Sequence, residues 1–583
     1  MTTSFWLSLG LFFAILAASS SVLALYLRQV LDPNGKTWLD PVFAPLERWT
    51  YRFCGIDPRK EEDWKGYLAS LLVFNAVGLL LTYLVLRIQQ WLPLNAKGFG
   101  PVSPDLAFDT AVSFATNTNF QNYAGESTLS YFSQMVGLAV HNFTSAATGI
   151  AIAAAFLRAL VRKGAKTIGS FWVDLVRTTY YLLLPLAFGM AIVLVSQGVP
   201  QNFSPYARAQ LLEPVAIAGT DGHERRVETQ EIVQGPIASQ EAIKQLGTNG
   251  GGYTNANSAH PFENPTPLSN LLEILAELLI PGALAVYLGL AVGRRAHGWA
   301  VWGVMALLLF GGILLCWRAE AAGNPLLVAQ GLSPFEGNRE GKEARFGILD
   351  SVLFAVSTTA TSCGAVNSLH DSYMPLGGLV PLFNMELGEV AFGGVGSGLY
   401  GMLVFVVLGV FLFGLMIGRT PEYLGKKIGA SEVKMAALSI LVLTLSILGM
   451  SAWAIASSWG LAGIANAGPH GLSEVLYAFS STTGNNGSAF AGLSGNTPWY
   501  NTTLGIAMLA GRYLMLVPVL GLAGLLAAQK TVAASQAAFP VSGVLFIVLL
   551  LATVFLVGAL NFFPVLALGP VLEHFLLHAG QTF

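Results

Sequence analysis

Along the whole chain, long apolar stretches alternate with polar linkers. Ten stretches are long enough for a helix to cross the hydrocarbon core, which takes roughly 20 residues. They lie near 4–27, 67–89, 133–157, 173–196, 272–293, 298–318, 399–418, 434–456, 505–527 and 541–563. Barrel strands are shorter and alternate in polarity, so these uniform runs predict a polytopic helical membrane protein. The first run, "FWLSLGLFFAILAASSSVLALYL", has no basic segment before it and, at 23 residues, outlasts a signal-peptide core. It therefore predicts a retained span.

Four of the linkers repeat one pattern: a short, moderately apolar stretch followed by a Thr/Ser/Asn/Gly run. The copies are "SPDLAFDTAVSFATNTNFQNY", "GPIASQEAIKQLGTNGGGYTN", "RFGILDSVLFAVSTTATSCGAVNS" and "GLSEVLYAFSSTTGNNGSAF". Each sits between two spans, so the repeat is span, short helix, polar loop, span. Pore units are expected at 67–157, 173–293, 298–418 and 434–527. Residues 1–66 and 541–583 add one span at each end. The copies align on Asn119, Gly250, Gly364 and Gly484. The preceding loop residues are then Thr116, Asn117 and Thr118, Thr248 and Asn249, Thr361, Ser362 and Cys363, and Thr482 and Thr483.

A helix this short cannot cross the bilayer. Its loop can lie at membrane depth only where protein buries it or a watery path meets it. The C-terminal end of each short helix carries partial negative charge. Four such ends on one axis attract a cation. Glycine permits left-handed backbone, so main-chain carbonyls can replace an ion's hydration shell. No carboxylate lies in the loop cores, whereas hard divalent ions take carboxylates. The pattern points to a weakly hydrated monovalent cation, potassium ahead of sodium, although loop chemistry alone does not separate the two.

Composition agrees. Hydrophobic residues make up 54% of the 583 and charged residues 11%, against about 25% charged in soluble chains. A net charge of −2 gives no footprint for a nucleic-acid partner. Cys54, Cys316 and Cys363 form neither a disulfide framework nor a metal cluster. The linkers on one side hold seventeen Lys and Arg, from Arg28 to Lys530 and including Arg419; the longer linkers opposite hold eight. Positive charge marks the cytoplasm, so both termini are expected outside.

The segments "TNTNFQ", "LGTNGGG", "NANSAHPFENPT", "TSCGAVNSLHDS", "FGGVGSGLYGML", "GRTPEYLGKKI" and "STTGNNGSAF" resemble the potassium-binding A subunit family of bacterial Kdp potassium-transporting ATPases. The resemblance implies a potassium channel-derived fold of four pore units with an extra span at each end. It implies a subunit of an ATP-driven importer in the bacterial inner membrane, one that binds outside potassium in a four-loop filter and passes it through an intramembrane tunnel. The implied partners are a P-type ATPase subunit (KdpB), a single-span accessory subunit (KdpC) and a small membrane peptide (KdpF). No cofactor is implied beyond the transported ion. Gln121 falls at the family's filter mouth. Asn119 departs from the glycine of the other copies, and an asymmetric filter is compatible with the family.

Other features refine the reading. Arg512, in "LAGRYLML", lies inside the ninth span. Intramembrane charge is costly and marks function by default. Below the filter it could turn potassium sideways; a buried ion pair or a snorkelling side chain is the alternative. "GSGLYG", from Gly396 to Gly401, fits a dinucleotide pattern, but an apolar span follows it, so nucleotide binding is rejected. Small residues permit close helix packing. The resemblance instead implies that Gly396 and Gly398 break the third unit's second span into a loop below the filter. Glu386 and Glu389 are candidate partners for Arg512. "NGKT", from Asn34 to Thr37, lacks the earlier glycine of a phosphate loop, since Val30 stands there. The chain also lacks "DKTGT", so ATP hydrolysis is expected on a partner, and this chain is expected not to be an enzyme. The Cys363 thiol is expected to be inert. His574 and His578 have metal-ligand spacing but read as an exposed tail. The 197–245 linker is a cap or docking surface of undecided role. The rival readings are a self-sufficient potassium channel or cation symporter, and a membrane-embedded enzyme, which would need an acid/base or metal set within the spans.

Overall fold

The ten apolar stretches all form helices in the computed structural model: Phe5–Val30, Trp64–Trp91, Ser133–Val161, Phe171–Gln197, Pro267–Ala291, Arg295–Ala329, Ser397–Met416, Ala430–Ala456, Pro498–Ala528 and Val544–His578. The structure describes every residue except 1–2, 33–34, 219–223, 334–335, 417, 419, 531–539 and 582–583. Arg419 and Asn34 of the motifs above lie outside the described residues.

Burial separates pore-lining spans from lipid-facing ones. The third span is 83% buried and the second only 17%. The third is alanine-rich from Ala146 to Ala159, and small side chains let neighbouring helices approach closely. The second exposes Val73, Val77, Leu80 and Leu84, as a helix facing hydrocarbon should.

Each unit carries a short helix between its spans: Pro104–Ala115, Ile237–Leu246, Gly347–Ala360 and Gly468–Gly484. Proline opens the first at a position where its missing N–H costs no intrahelical bond. In the third unit the second span is broken. A helix at Pro375–Glu386 stops, an irregular segment follows, and Ser397–Met416 resumes. Two antiparallel ribbons, unforeseen in the sequence, join this helical frame. The larger pairs Ala207–Ala218 with Glu224–Ile232 in the 197–245 linker. Its base is tied to the first unit by Tyr131 Oη donating to the Ser204 carbonyl (2.7 Å) and Tyr206 Oη to the Glu126 carbonyl (3.0 Å).

Behind the second loop lies a fully buried ionic cluster. Lys244 Nζ sits 2.7 Å from Glu241 Oε2 and from Glu263 Oε2, and donates to Asn257 Oδ1 at 2.7 Å. Glu263 also accepts from the Thr254 N–H at 2.7 Å, which ties the segment after the filter to the short helix before it. Removing one partner of a buried pair leaves an uncompensated charge, at about 3–5 kcal/mol. Lys244→Met is therefore expected to lower the thermal midpoint of the purified protein markedly, as read by tryptophan fluorescence in detergent. A midpoint within a degree of wild type would remove this cluster from the account of stability.

Candidate ion-coordination site

The four short helices end in one backbone motif. Two residues with left-handed φ flank one residue of ordinary φ: Asn117 (64°) and Asn119 (54°), Thr248 (47°) and Gly250 (82°), Ser362 (51°) and Gly364 (85°), Asn485 (60°) and Gly487 (98°). In every copy the middle residue's N–H reaches back five residues into its helix. Thr118 bonds the Ser113 carbonyl at 2.9 Å, Asn249 that of Lys244 at 2.8 Å, Cys363 that of Thr358 at 3.0 Å and Asn486 that of Ser481 at 2.8 Å. The loops are thus one structure repeated four times.

This equivalence moves the fourth copy by three residues. Gly487, not Gly484, matches Gly250 and Gly364. Thr482, Thr483 and Gly484 form the last turn of the helix, and Asn485 is its left-handed cap. The fourth helix spans 17 residues against 12 for the first, so it runs on into a Thr-Thr-Gly that resembles a loop core.

The loops close into a ring. A Cβ on Gly250 would overlap the Cys363 carbonyl oxygen, one on Gly364 that of Asn486, and one on Gly487 that of Thr118. Left-handed φ and the adjacent carbonyl together demand glycine at these three positions. Between the first two loops the position is Asn119. Its amide is held by Asn142 Oδ1 at 2.8 Å, while Asn117 Nδ2 donates to the Thr248 carbonyl at 2.9 Å. Asn485 Nδ2 crosses to Thr118 Oγ1 at 2.9 Å. Thr116 and Thr361 are the helix caps, each bonding its own helix through Oγ1.

Gln121 joins the first two loops above the ring. Its Oε1 accepts from the Gly252 N–H at 2.8 Å and its Nε2 donates to the Gly252 carbonyl at 3.1 Å. Cys363 is fully buried, with Sγ 3.5 Å from Gln245 Oε1.

The broken third-unit span passes under the ring. The Val395 N–H donates to Thr248 Oγ1 at 3.0 Å. Gly396, with φ 96°, lies against the Gly149 carbonyl of the third span, and Gly398 against the Phe392 carbonyl, where a Cβ would overlap either oxygen. A cavity of about 30 Å³ lies here, lined by Asn117, Ser362, Glu389, Thr483, Asn485 and Arg512 among others. Arg512 sits on a π-helical turn, Ala510–Leu514, is 8% exposed and reaches the Ser145 carbonyl at 3.4 Å. It pairs with neither Glu386 nor Glu389 among the described residues. Glu389 instead accepts from Ser362 Oγ. Glu386 lines a second cavity of about 30 Å³ with Asn561 and Thr444. The two cavities share Gly388, Leu443 and Met515.

Sequence reasoning missed Ser362 as the partner of Glu389 and missed the Lys244 cluster. The signal was present: charged residues at 241 and 244 of a short helix in an apolar protein. The C-terminal tail is also less free than expected, because Glu573 Oε1 accepts from His470 Nδ1 at 2.8 Å. The rings of His574 and His578 lie 4.3 Å apart, tilted by 56°.

Comparison with known proteins decides the family. The family described as "KdpA: Potassium-transporting ATPase A subunit" matches residues 10–575. The chain belongs to the potassium-transporting ATPase A subunit family. Three A-subunit relatives, each named potassium-transporting ATPase potassium-binding subunit, match over all of this chain. Those of Methylacidiphilum infernorum and Acidobacterium capsulatum are 56% and 55% identical over their own full lengths. That of Rhodospirillum centenum is 54% identical over 99% of its length. Among solved structures, the potassium transporter TrkH from Vibrio parahaemolyticus aligns with 86% of this chain and 96% of its own, with a TM-score of 0.49 and 16% identity.

Proposed function

We propose that this chain is the potassium-binding and translocating subunit of an ATP-driven importer in the bacterial inner membrane, with both termini outside. Potassium from outside sheds its water at the four-loop ring. Main-chain oxygens of Thr118, Asn249, Cys363 and Asn486 lie at equivalent positions there and form the cage, with Asn117, Ser362 and Asn485 below them. The Gly250 carbonyl is engaged by Asn257 Nδ2 at 2.7 Å and the Thr248 carbonyl by Asn117 Nδ2 at 2.9 Å, so the second loop contributes through the Asn249 oxygen. The observation that carries the reading is the closed ring, in which three glycines pack against the carbonyls of neighbouring loops and the Asn117 amide closes the fourth junction on the Thr248 carbonyl. Such packing fixes the size of the central opening without side-chain charge, as a weakly hydrated monovalent ion requires.

Below the ring the ion turns sideways. The segment from Gly388 to Gly396 and the Arg512 guanidinium obstruct the straight path. The paired cavities, whose walls share Gly388, Leu443 and Met515, lead towards the lipid-facing side beside the tenth span. ATP hydrolysis falls to a P-type ATPase partner, joined by the single-span and peptide subunits of such complexes. The names of the relatives and the sequence motifs support this over a self-sufficient channel or symporter.

Anomalous scattering from potassium-soaked crystals tests the central claim. The expected peak lies on the axis of the ring, within carbonyl reach of Thr118, Cys363 and Asn486. A peak elsewhere, with none at the ring, would sink the reading.

Gln121→Arg is expected to weaken uptake at low potassium. It breaks the two-bond clasp on Gly252 and places a fixed cation at the ring's entrance. Rubidium uptake at micromolar concentration measures this, and an unchanged half-saturating concentration would count against it.

A further inference from the structure

On the face that carries the arginine-rich linkers, away from the ring, lies the roomiest of the cavities described, about 590 Å³. It is built where spans end. Arg28 comes from the close of the first span, Arg158 and Arg162 from that of the third, and Tyr287 from that of the fifth. The start of the fourth span contributes Ser170, Val173 and Asp174. Leucine and valine side chains line the wall between these groups.

The charges divide into two kinds. Two arginines are spent on carboxylates: Arg158 Nη1 on Asp174 Oδ1 at 3.0 Å, and Arg162 Nη2 on Glu61 Oε1 at 2.6 Å. Arg28 and Arg59 line the same cavity, are exposed, and make no ion pair among the described residues. The first N–H of the fourth span, that of Phe171, is taken by Glu62 Oε2 at 3.0 Å, and Asp32 is a further carboxylate in the lining, so the positive potential at the mouth comes from the Arg28 and Arg59 side chains. Arginine forks match phosphate oxygens, and the apolar wall suits a hydrocarbon stem.

The level of the cavity is set independently. The chain between Arg28 and Arg59 forms the helix Asp40–Cys54. Its inner face is pinned by Glu47, which accepts from Tyr181 Oη at 2.7 Å. Its outer face exposes Val42, Leu46, Trp49 and Phe53, and Trp38, two residues before the helix, extends this stripe at helical spacing. Arg48 and Arg52 are exposed beside that stripe. A tryptophan-bearing apolar stripe flanked by arginine is the signature of a helix lying in the membrane interface. The cavity mouth therefore opens at headgroup depth.

We infer that Arg28 and Arg59 form a binding site for a phosphate anion, that of an anionic glycerophospholipid headgroup, at the mouth of this cavity.

The test uses the full-length chain purified in its complex, stripped of lipid, and returned to vesicles or detergent micelles of stated composition. Phosphatidylglycerol is expected to raise the thermal midpoint by several degrees over phosphatidylcholine. Arg28→Gln with Arg59→Gln is expected to abolish that difference while leaving the midpoint in phosphatidylcholine unchanged. Inorganic phosphate in the buffer forms the third arm. An equal rise with phosphate alone would keep the site and assign it to a soluble ligand. Equal midpoints in the two lipids, or a double variant that still responds, would overturn it. A photoactivatable phosphatidylglycerol supplies a measurement on the unaltered protein. Adducts are expected beside Arg28, Arg59 or Tyr287, and labelling confined to other segments would also overturn the assignment.

Discussion

Gly487→Ala is expected to raise the potassium concentration for half-maximal uptake by at least about tenfold, whereas Gly484→Ala should stay within about fivefold of wild type. The first change forces a Cβ onto a residue at φ 98° and against the Thr118 carbonyl oxygen. Left-handed backbone alone costs a side-chain-bearing residue roughly 1–2 kcal/mol, and about 1.4 kcal/mol is a factor of ten in affinity. The displaced carbonyl adds to this, because it belongs to the proposed cage. Gly484 lies in the last helical turn. A Cβ there meets the Glu389 carboxylate at 3.5 Å, an ordinary contact, and alanine favours helix by up to about 1 kcal/mol. Potassium titrations of ATPase activity in the purified complex measure both. Equal effects, or a larger one at Gly484, would return the filter register to Thr482–Gly484 and remove the ring as the binding element. Gly250→Ala and Gly364→Ala should behave like Gly487→Ala.

Arg512→Gln is expected to let potassium pass without ATP while leaving outside affinity within about threefold of wild type. At an effective dielectric of ~20, a unit charge ~8 Å away opposes a cation by ~2 kcal/mol, a factor of roughly thirty in passage. On the proposed route the cavity that Arg512 shares with Glu389 and Asn485 comes after the ring, so the guanidinium acts on an ion that has already passed it. Arg512 makes no ion pair among the described residues, and Glu389 is held by Ser362. Passive rubidium flux into proteoliposomes, without nucleotide, reads the leak. An affinity loss as large as that of Gly487→Ala would place Arg512 in the binding step instead. A variant as tight to passive flux as wild type would remove its role as a barrier.

The first three loops were legible in their true register because their helices stop where the polar run begins. The fourth was not. "STTGNNG" offers two candidate cores, and Thr-Thr-Gly looks more like Thr-Ser-Cys-Gly than Asn-Asn-Gly does. Better clues were present. Gly247-Thr248-Asn249-Gly250 and Gly484-Asn485-Asn486-Gly487 share glycine, asparagine, glycine at the same spacing. Ser113 and Ser481 each send Oγ to the carbonyl seven residues on, at 2.9 and 2.7 Å. Neither clue has weight until the carbonyl of the next loop is known to crowd the second glycine. The suggested pairing of Arg512 with Glu386 or Glu389 failed for a similar reason. Proximity in sequence gave Glu389 to the region below the ring, but Ser362 holds it there.

The sequence by itself determined the ten spans and the four short helices. These follow from local quantities: the length of an apolar run, the period of a repeat, the positions of glycine and proline. It also determined the family, through motifs long enough to be specific. Only the tertiary structure decided the register of the fourth loop, the closure of the ring, the unpaired state of Arg512 and the Lys244 cluster. Each depends on which residues from distant units meet, and the free energy of a meeting is set by both partners at once. A chain read one residue at a time shows the donors, acceptors and charges, and folding alone chooses among the pairings they allow.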